Sequence, residues 1–254
     1  MQPRHRVLDP AARAPIGKNL CALAVMTKAP RAGHVKTRLV PPLSPEEAAQ
    51  LNVCFLRDTA AAIAKACGTT ARGIGVYTPI GGEAAYLNIL PRKFELVPQR
   101  GDGFGERLAF AVADLFKCGF TSVCLIDSDS PTVPGDVYRK AVEVSSKPGD
   151  RVVLGPSDDG GYYLIGLKRS HPQLFERIDW STERVFEQTR QRATQIGVRV
   201  HELARGFDVD DRATLHRLCD ELLSENARDS GAPQTQEFLR GLIARDGRER
   251  IWPL

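Results

Sequence analysis

The sequence predicts an α/β fold, a single mainly parallel sheet flanked by helices with a short helical C-terminal appendage. Three observations carry this. Apolar runs of strand length alternate with longer amphipathic segments along most of the 254 residues,. No apolar run approaches the roughly 18 residues that would suggest a membrane span. Acidic, basic and glycine-rich motifs fall where the apolar runs end, which is where open parallel sheets bind ligands.

Residues 19–26 (NLCALAVM) read as a buried strand feeding a Lys/Pro/Gly loop,. Ser44, Pro45, Glu46 and Glu47 combine an N-cap, a proline at the first helical position and early acids, and predict a helix to about Cys67, where Gly68 stops it,. Strands at 72–77 and 94–98, a helix at 104–116 and a nearly continuous apolar strand at 122–126 follow. Then come a helix at 134–145, strands at 151–154 and 162–167, a helix at 181–194 with Ser181 as its cap, a strand at 198–203 and a helix at 211–222 opened by Asp211. Phe238, Leu239, Leu242 and Ile243 at helical spacing predict the appendage,. The expected organisation is a flexible leader at 1–19, one domain at 20–224 and an appendage at 225–254. The stripe reads as docked packing, although apolar tail residues could support a homodimer.

With 35 Lys+Arg against 31 Asp+Glu the net charge is only +4, and no basic stripe carries interleaved aromatics, so nucleic acid is not the expected partner,. Six cysteines without a CxxC pair read as reduced core thiols,. The N-terminal residues lack the apolar region of a secretory signal, which makes a cytoplasmic location the expectation.

The loop after the first strand, KAPRAGHVKTRL at 28–39, concentrates Lys28, Arg31, Lys36 and Arg38 around Gly33. A glycine turn that aims backbone amides outward, beside ammonium and guanidinium groups, is phosphate-binding chemistry. It is neither GxxxxGK[ST] nor GxGxxG, so Walker and dinucleotide readings lose support. His34 reads as a solvent-facing loop residue. The sequence DSDSP at 127–131 ends the most apolar strand, and residues two apart share one side of a strand, so Asp127 and Asp129 can converge on a cation while Ser128 points away,. Oxygen donors favour Mg²⁺ or Mn²⁺. In FDVDD at 207–211, Asp208 or Asp210 could reach the same cation and Asp211 could cap the next helix,.

Two glycine-rich turns remain. In GDGFGER at 101–107, Gly103 and Gly105 would admit a base or ribose and Arg107 a phosphate, although a helix start also needs glycine,. In SDDGGYY at 157–163, Asp158, Asp159, Gly160 and Gly161 suit the gripping of hydroxyls, with a bare hairpin turn as the rival,. Trp180, Ser181, Thr182 and Glu183 read first as a helix start, although a loop tryptophan could also cover a ligand,. No Ser/His/Asp order, Cys/His pair or HExxH supports covalent hydrolase or zinc-protease chemistry.

Taken together, KAPRAGHVKTRL, DSDSP, GPSDDGGYYLIGL at 155–167, WST at 180–182 and FDVD at 207–210 resemble the bacterial GT-A-type transferases associated with radical-SAM and selenodomain genes, commonly labelled glycosyltransferases. The first loop and the Asp-Ser-Pro element also resemble, more distantly, phospholactate guanylyltransferases and molybdenum-cofactor nucleotidyltransferases. The resemblance implies the nucleotide-diphospho-sugar transferase fold. It implies that Lys28, Lys36 and Arg38, with Gly33 and Thr37 in the same loop, contact phosphates, and that Asp129 binds Mg²⁺ or Mn²⁺ with Asp208 or Asp210 as its partner. The expected function is nucleotidyl transfer from an NTP to a small phosphorylated or phosphonate acceptor. Glycosyl transfer from an NDP-sugar and a non-catalytic nucleotide-binding module are the alternatives.

Overall fold

The computed structural model describes residues 5–12, 19–224 and 231–253. Seven strands form one sheet: β1 (Cys21–Lys28), β2 (Ala71–Thr78), β3 (Glu95–Pro98), β4 (Ser122–Ile126), β5 (Arg151–Pro156), β6 (Tyr162–Leu167) and β7 (Arg199–Glu202). Their order is β3-β2-β1-β4-β6-β5-β7. All pairings are parallel except those of β6, which runs antiparallel to both β4 and β5. The predicted mainly parallel sheet is therefore present, and the rival reading of residues 157–161 as a hairpin turn is also correct, because that turn joins β5 to β6.

The helices are α1 (Pro45–Cys67), α2 (Phe104–Lys117), α3 (Gly135–Ser146), α4 (Val185–Gln195), α5 (Arg212–Leu223) and α6 (Pro233–Asp246). Ser44 caps α1 in a full capping box with Glu47, and Asp211 caps α5 by accepting from the Thr214 N–H at 2.8 Å,. The helix expected at 181–194 begins only at Val185. Ser181 does not cap it: its φ of 64° is left-handed, and the 180–184 segment forms a loop instead,.

Strand alternation sorts the core into two layers. Cys21, Leu23 and Val25 of β1 pack toward α1 and α3, whereas Ala22 and Ala24 pack toward α2,. A third cluster lies beyond the sheet. There Leu39, Phe55, Phe207 and Val209 join Leu215, Leu218, Leu239 and Leu242. The helical stripe of the appendage is thus used inside this chain, with Phe238 and Ile243 packed at the cluster's margin.

α6 is fastened to α1 by polar contacts as well. The Asp58 carboxylate of α1 accepts from the Gln234 and Thr235 backbone N–H groups at 3.0 and 2.8 Å and from the Thr235 hydroxyl at 2.7 Å, so one helix supplies the N-terminal cap of another,. Arg245 and Arg250 close the far end on Glu47.

Residues 5–8 of the expected leader pack against β3. His5 is hydrogen-bonded to the carbonyls of Phe94 and Tyr86, and Leu8 is buried. Residues 1–4 and 13–18 of that leader, and 225–230 of the polar stretch before α6, lie outside the described residues. Five of the six cysteines are buried and all are free. Among the described residues no helix is long and apolar enough to cross a membrane.

Candidate active site

β1 and β4 are neighbours in the sheet, yet the chain leaves β1 toward β2 on one side and reaches β4 on the other. Their C-terminal ends therefore open at a topological switch point, where such sheets leave a crevice,. The loop after β1 (28–38), the loop after β4 (127–131) and residues 207–211 meet there. Burial of alternate residues sets what each presents. Leu39, Phe207 and Val209 are held in the third core cluster, so their neighbours Arg38, Asp208 and Asp210 are left to face the crevice.

Lys36 is the hub. Its ammonium donates to Asp129 Oδ1 at 2.8 Å, Asp210 Oδ1 at 2.9 Å and the Val209 carbonyl at 2.7 Å, with only 4% of its side chain exposed. Burial works against its charge, but attraction to Asp129 and Asp210 outweighs that and holds its pKa above the ordinary lysine value,. Its left-handed backbone, with φ of 49°, costs about 1–2 kcal/mol in an L-residue and is held by these contacts,. All three donors are thus spent on protein oxygens. Lys28 is exposed and Arg38 is largely exposed, its Nη1 4.0 Å from Asp210, so these two cations of the loop remain open to a ligand. Gly33 takes the positive φ its turn requires, 74°,.

Two cavities meet at Arg38, Ser128, Asp129 and Asp210. The smaller, about 240 Å³, is lined by Lys28, His34, Lys36, Thr37 and Asn52 as well. The larger, about 580 Å³, adds Asp127, Ser157, Asp159, Gly161, Asp208 and an aromatic wall of Phe104, Tyr162 and Trp180.

Ser128 lines both cavities and does not point away as the strand period implied, because β4 ends at Ile126 and the two-residue alternation stops with it. Asp127 is enclosed. Ser130 donates to its carboxylate at 2.7 Å, yet burial first and then Asp129 push its pKa well above the usual carboxylate range. Burial, then Asp159 and Asp210, also raise Asp208, which accepts from the Ser157 hydroxyl at 2.8 Å.

Asp127 and Asp208, crowded by neighbouring carboxylates and outside the ion pairs of Lys36, offer oxygen donors that fit a hard divalent ion,. Among the described residues no three His, Cys, Asp or Glu side chains are gathered closely enough to hold a metal by themselves. The fit is that of a cation taken by one or two aspartates which completes its shell with substrate phosphate and water.

The remaining sequence candidates fall elsewhere. Gly103 is the N-cap residue of α2, and Arg107 donates to the Asp102 carbonyl at 2.9 Å. Gly105 is buried where a Cβ would lie 2.6 Å from the Phe175 carbonyl and 2.8 Å from Trp180 Nε1, so its small size serves packing of the tryptophan. None of the three lines either cavity. Asp158 turns to Arg217 at 2.6 Å, and Gly160, with φ of 86°, makes room for the backbone of Glu183.

Trp180, Ser181, Thr182 and Glu183 line the larger cavity instead of starting a helix, the second of the two readings of that segment. Two features escaped sequence reading. Ser157 orients Asp208. Asn52, 4% exposed in α1, brings an Oδ1 atom without a partner to the smaller cavity; within an apolar helical pattern a lone asparagine gives no signal.

This sheet order, with its crevice beyond β1 and β4, is the fold of nucleotide-diphospho-sugar transferases. The chain belongs to the DUF2064 family, described as uncharacterized proteins conserved in bacteria, whose sequence model matches residues 50–182. A protein from Desulfovibrio desulfuricans G20, provisionally assigned as a nucleotide-diphospho-sugar transferase, superposes with a TM-score of 0.77 at 28% identity, covering 89% of this chain and 96% of its own. CMP:2-keto-3-deoxy-manno-octonic acid synthetase, solved with CTP, superposes at 0.52 with 12% identity over 80% and 98%. A nucleotidyl transferase from Methanothermobacter does so at 0.50 with 16% identity over 81% and 98%. The last two share the fold alone. None of the curated proteins matches the chain.

Proposed function

We propose that this protein is a nucleotide-dependent transferase that moves a nucleotidyl group from an NTP to a small acceptor, releasing pyrophosphate. The observation that carries the reading is the meeting of the basic loop after β1 with Asp129 and Asp210, joined through Lys36, at the mouth of the crevice. Lys28 and Arg38 receive the phosphates there, and Arg38 offers a planar fork to two oxygens. Lys36 keeps Asp129 and Asp210 in register. A divalent ion held by one or two of the crevice carboxylates, Asp127 and Asp208 beside Asp129 and Asp210, would neutralise charge building on the phosphoryl oxygens,.

The acceptor oxygen forms a bond to the α-phosphorus as the bond from that phosphorus to the bridging oxygen breaks. Pyrophosphate leaves with the electron pair, and the acceptor proton passes to water. No protein nucleophile is needed; catalysis is positioning and charge neutralisation.

The provisional assignment of the Desulfovibrio protein favours a second reading, glycosyl transfer from an NDP-sugar, in which Asp159 would contact sugar hydroxyls. Thermal stabilisation by NTPs, NDPs and NDP-sugars, with and without Mg²⁺, separates the two, since a ligand at one hundred times its Kd adds about 2.7 kcal/mol. An NTP with Mg²⁺ is expected to stabilise most. A larger shift with an NDP-sugar overturns nucleotidyl transfer in favour of the second reading. Binding indifferent to Mg²⁺ and unchanged in Asp129→Asn leaves only a nucleotide-binding module.

A further inference from the structure

We propose that the open pocket at the N-terminal ends of β5 and β7 binds a phosphate group carried by a small molecule. It lies at the opposite end of the strands from the crevice and does not depend on the reaction carried out there.

Paired positions set its charge. Arg151 is the Cα partner of Arg199 in the parallel β5–β7 ladder, and Val153 is the partner of His201. Alternation puts Arg151 on the side of Val153, in the layer of α1 and α3, while Val152 and Val200 pack into the other layer,. α3 lies over β5 on the first side and α4 covers β7 from the second, so Arg199 and His201 stay exposed. Arg151, Arg199 and His201 all line one cavity of about 530 Å³. Two arginines on strands about 4.8 Å apart repel each other unless an anion lies between them.

Among the described residues no protein acid answers this charge. Neither arginine forms an ion pair, and the side chains of Arg199 and His201 make no hydrogen bond. The carboxylate in the lining, Asp150, is already held by the Arg151 backbone N–H at 3.0 Å, His171 Nε2 at 2.8 Å and Arg169 Nε at 4.0 Å. Glu202 is paired with Leu154 and faces the other layer.

Charged side chains on an edge strand guard it against pairing with another chain, and this accounts for Arg199 and His201. It leaves Arg151 unexplained. β5 is an inner strand, and the Arg151 Nε is buried without an acceptor, Nη2 alone reaching a carbonyl, that of Pro148. A buried guanidinium N–H without an acceptor is the mark of a missing partner. Two guanidinium forks and an imidazole around one space offer more donors than the two coplanar oxygens of a carboxylate can take, whereas a phosphate presents three oxygens and up to two charges. Bound there, it would also clamp the edge strand onto its neighbour.

The test titrates the full chain with inorganic pyrophosphate in EDTA and follows the histidine ring resonances by NMR. His201 reports on the edge pocket and His34, which lines the smaller crevice cavity, on the phosphate side of the crevice, so one titration reads both. Saturable movement of His201 with a Kd of about 1 mM or below is expected. Arg199→Gln should weaken that binding about tenfold and leave the His34 shifts unchanged; Arg199 is exposed, so its loss does not threaten the fold,. Arg151→Lys, which keeps the charge and loses the fork, should weaken it about threefold or more. No saturable movement of His201, with or without movement of His34, overturns the proposal. So does an affinity that either variant leaves unchanged, or malonate binding as tightly as pyrophosphate.

Discussion

The two cavities that share Asp129 are built by opposite means. On the side of Lys28 and Lys36, short loops are pinned from beneath by buried residues, Leu39 after β1 and Phe207 and Val209 before α5, so the polar groups inherit the rigidity of a hydrophobic cluster. On the side of Trp180, the wall is a loop over a hairpin turn, tied to that turn by one backbone hydrogen bond and packed through a glycine at each contact and an edge-to-face aromatic pair. The first arrangement suits a group with fixed shape and charge, as a polyphosphate is. The second can change with its occupant by altering a few loop residues without disturbing the sheet.

The comparison breaks most severely if Lys36 is lost. Lys36→Met leaves Asp129 and Asp210 facing each other with the Val209 carbonyl unpaired. It should cost about 3 kcal/mol in urea denaturation, the low end for breaking a buried ion pair because both carboxylates keep some water,. Turnover should fall by two orders of magnitude or more. A loss below 1 kcal/mol would mean that the core cluster alone holds the two loops.

Gly160→Ala attacks the other side. The added methyl meets the backbone of Glu183 at a left-handed position, so about 2–3 kcal/mol should be lost,. Trp180 fluorescence should shift while tripolyphosphate affinity holds. If that affinity falls as well, the two cavities are mechanically one.

Arg38→Ala sharpens the division at the shared mouth. Affinity for an NTP with Mg²⁺ should drop about tenfold, one charge-assisted hydrogen bond, with thermal stability unchanged because Arg38 is largely exposed,. Calorimetric titration reads the first and a melting curve the second.

The smallest effect concerns the backing of the phosphate side. Burial opposes the charge of Glu47, but hydrogen bonds from Arg250, the Ser44 backbone and Arg245 win and hold its pKa below the ordinary glutamate value of about 4.3,. The stabilisation is therefore complete above that value and is lost as pH falls through the lowered pKa. Hydrogen exchange across α6 should accelerate in that acid range, and in Glu47→Gln already at neutral pH; exchange that ignores both would assign the docking to the apolar stripe and Asp58 alone.

What the sequence made legible follows from where its signals are local. The strands from β1 to β6 were readable because burial on both faces demands short apolar runs, and α1 and α5 because Ser44 and Asp211 are caps with their own chemistry. The polar groups of the crevice were readable as charges at strand ends. Their partnerships were not. That Lys36 would spend its donors on Asp129 and Asp210 depends on residues more than ninety positions apart meeting, and nothing in KAPRAGHVKTRL encodes it. The covering role of Trp180 was legible only as the second reading for a related reason: WSTE carries the letters of a helix start, and the approach of Gly160 and Gly105 makes it a wall. The antiparallel setting of β6 was legible only as the rival hairpin reading of SDDGGYY, because a strand buried on both faces has the same apolar pattern in either direction.

The cap that Asp58 gives α6 ties the last helix to the first across nearly the whole chain. A polypeptide emerging in order would complete all the strands before that helix is available, leaving Leu215 and Leu218 wet and the segment carrying Asp208 and Asp210 without its backing. The crevice would then be finished by the final two dozen residues, so a chain cut at residue 231 should keep its sheet and lose its site.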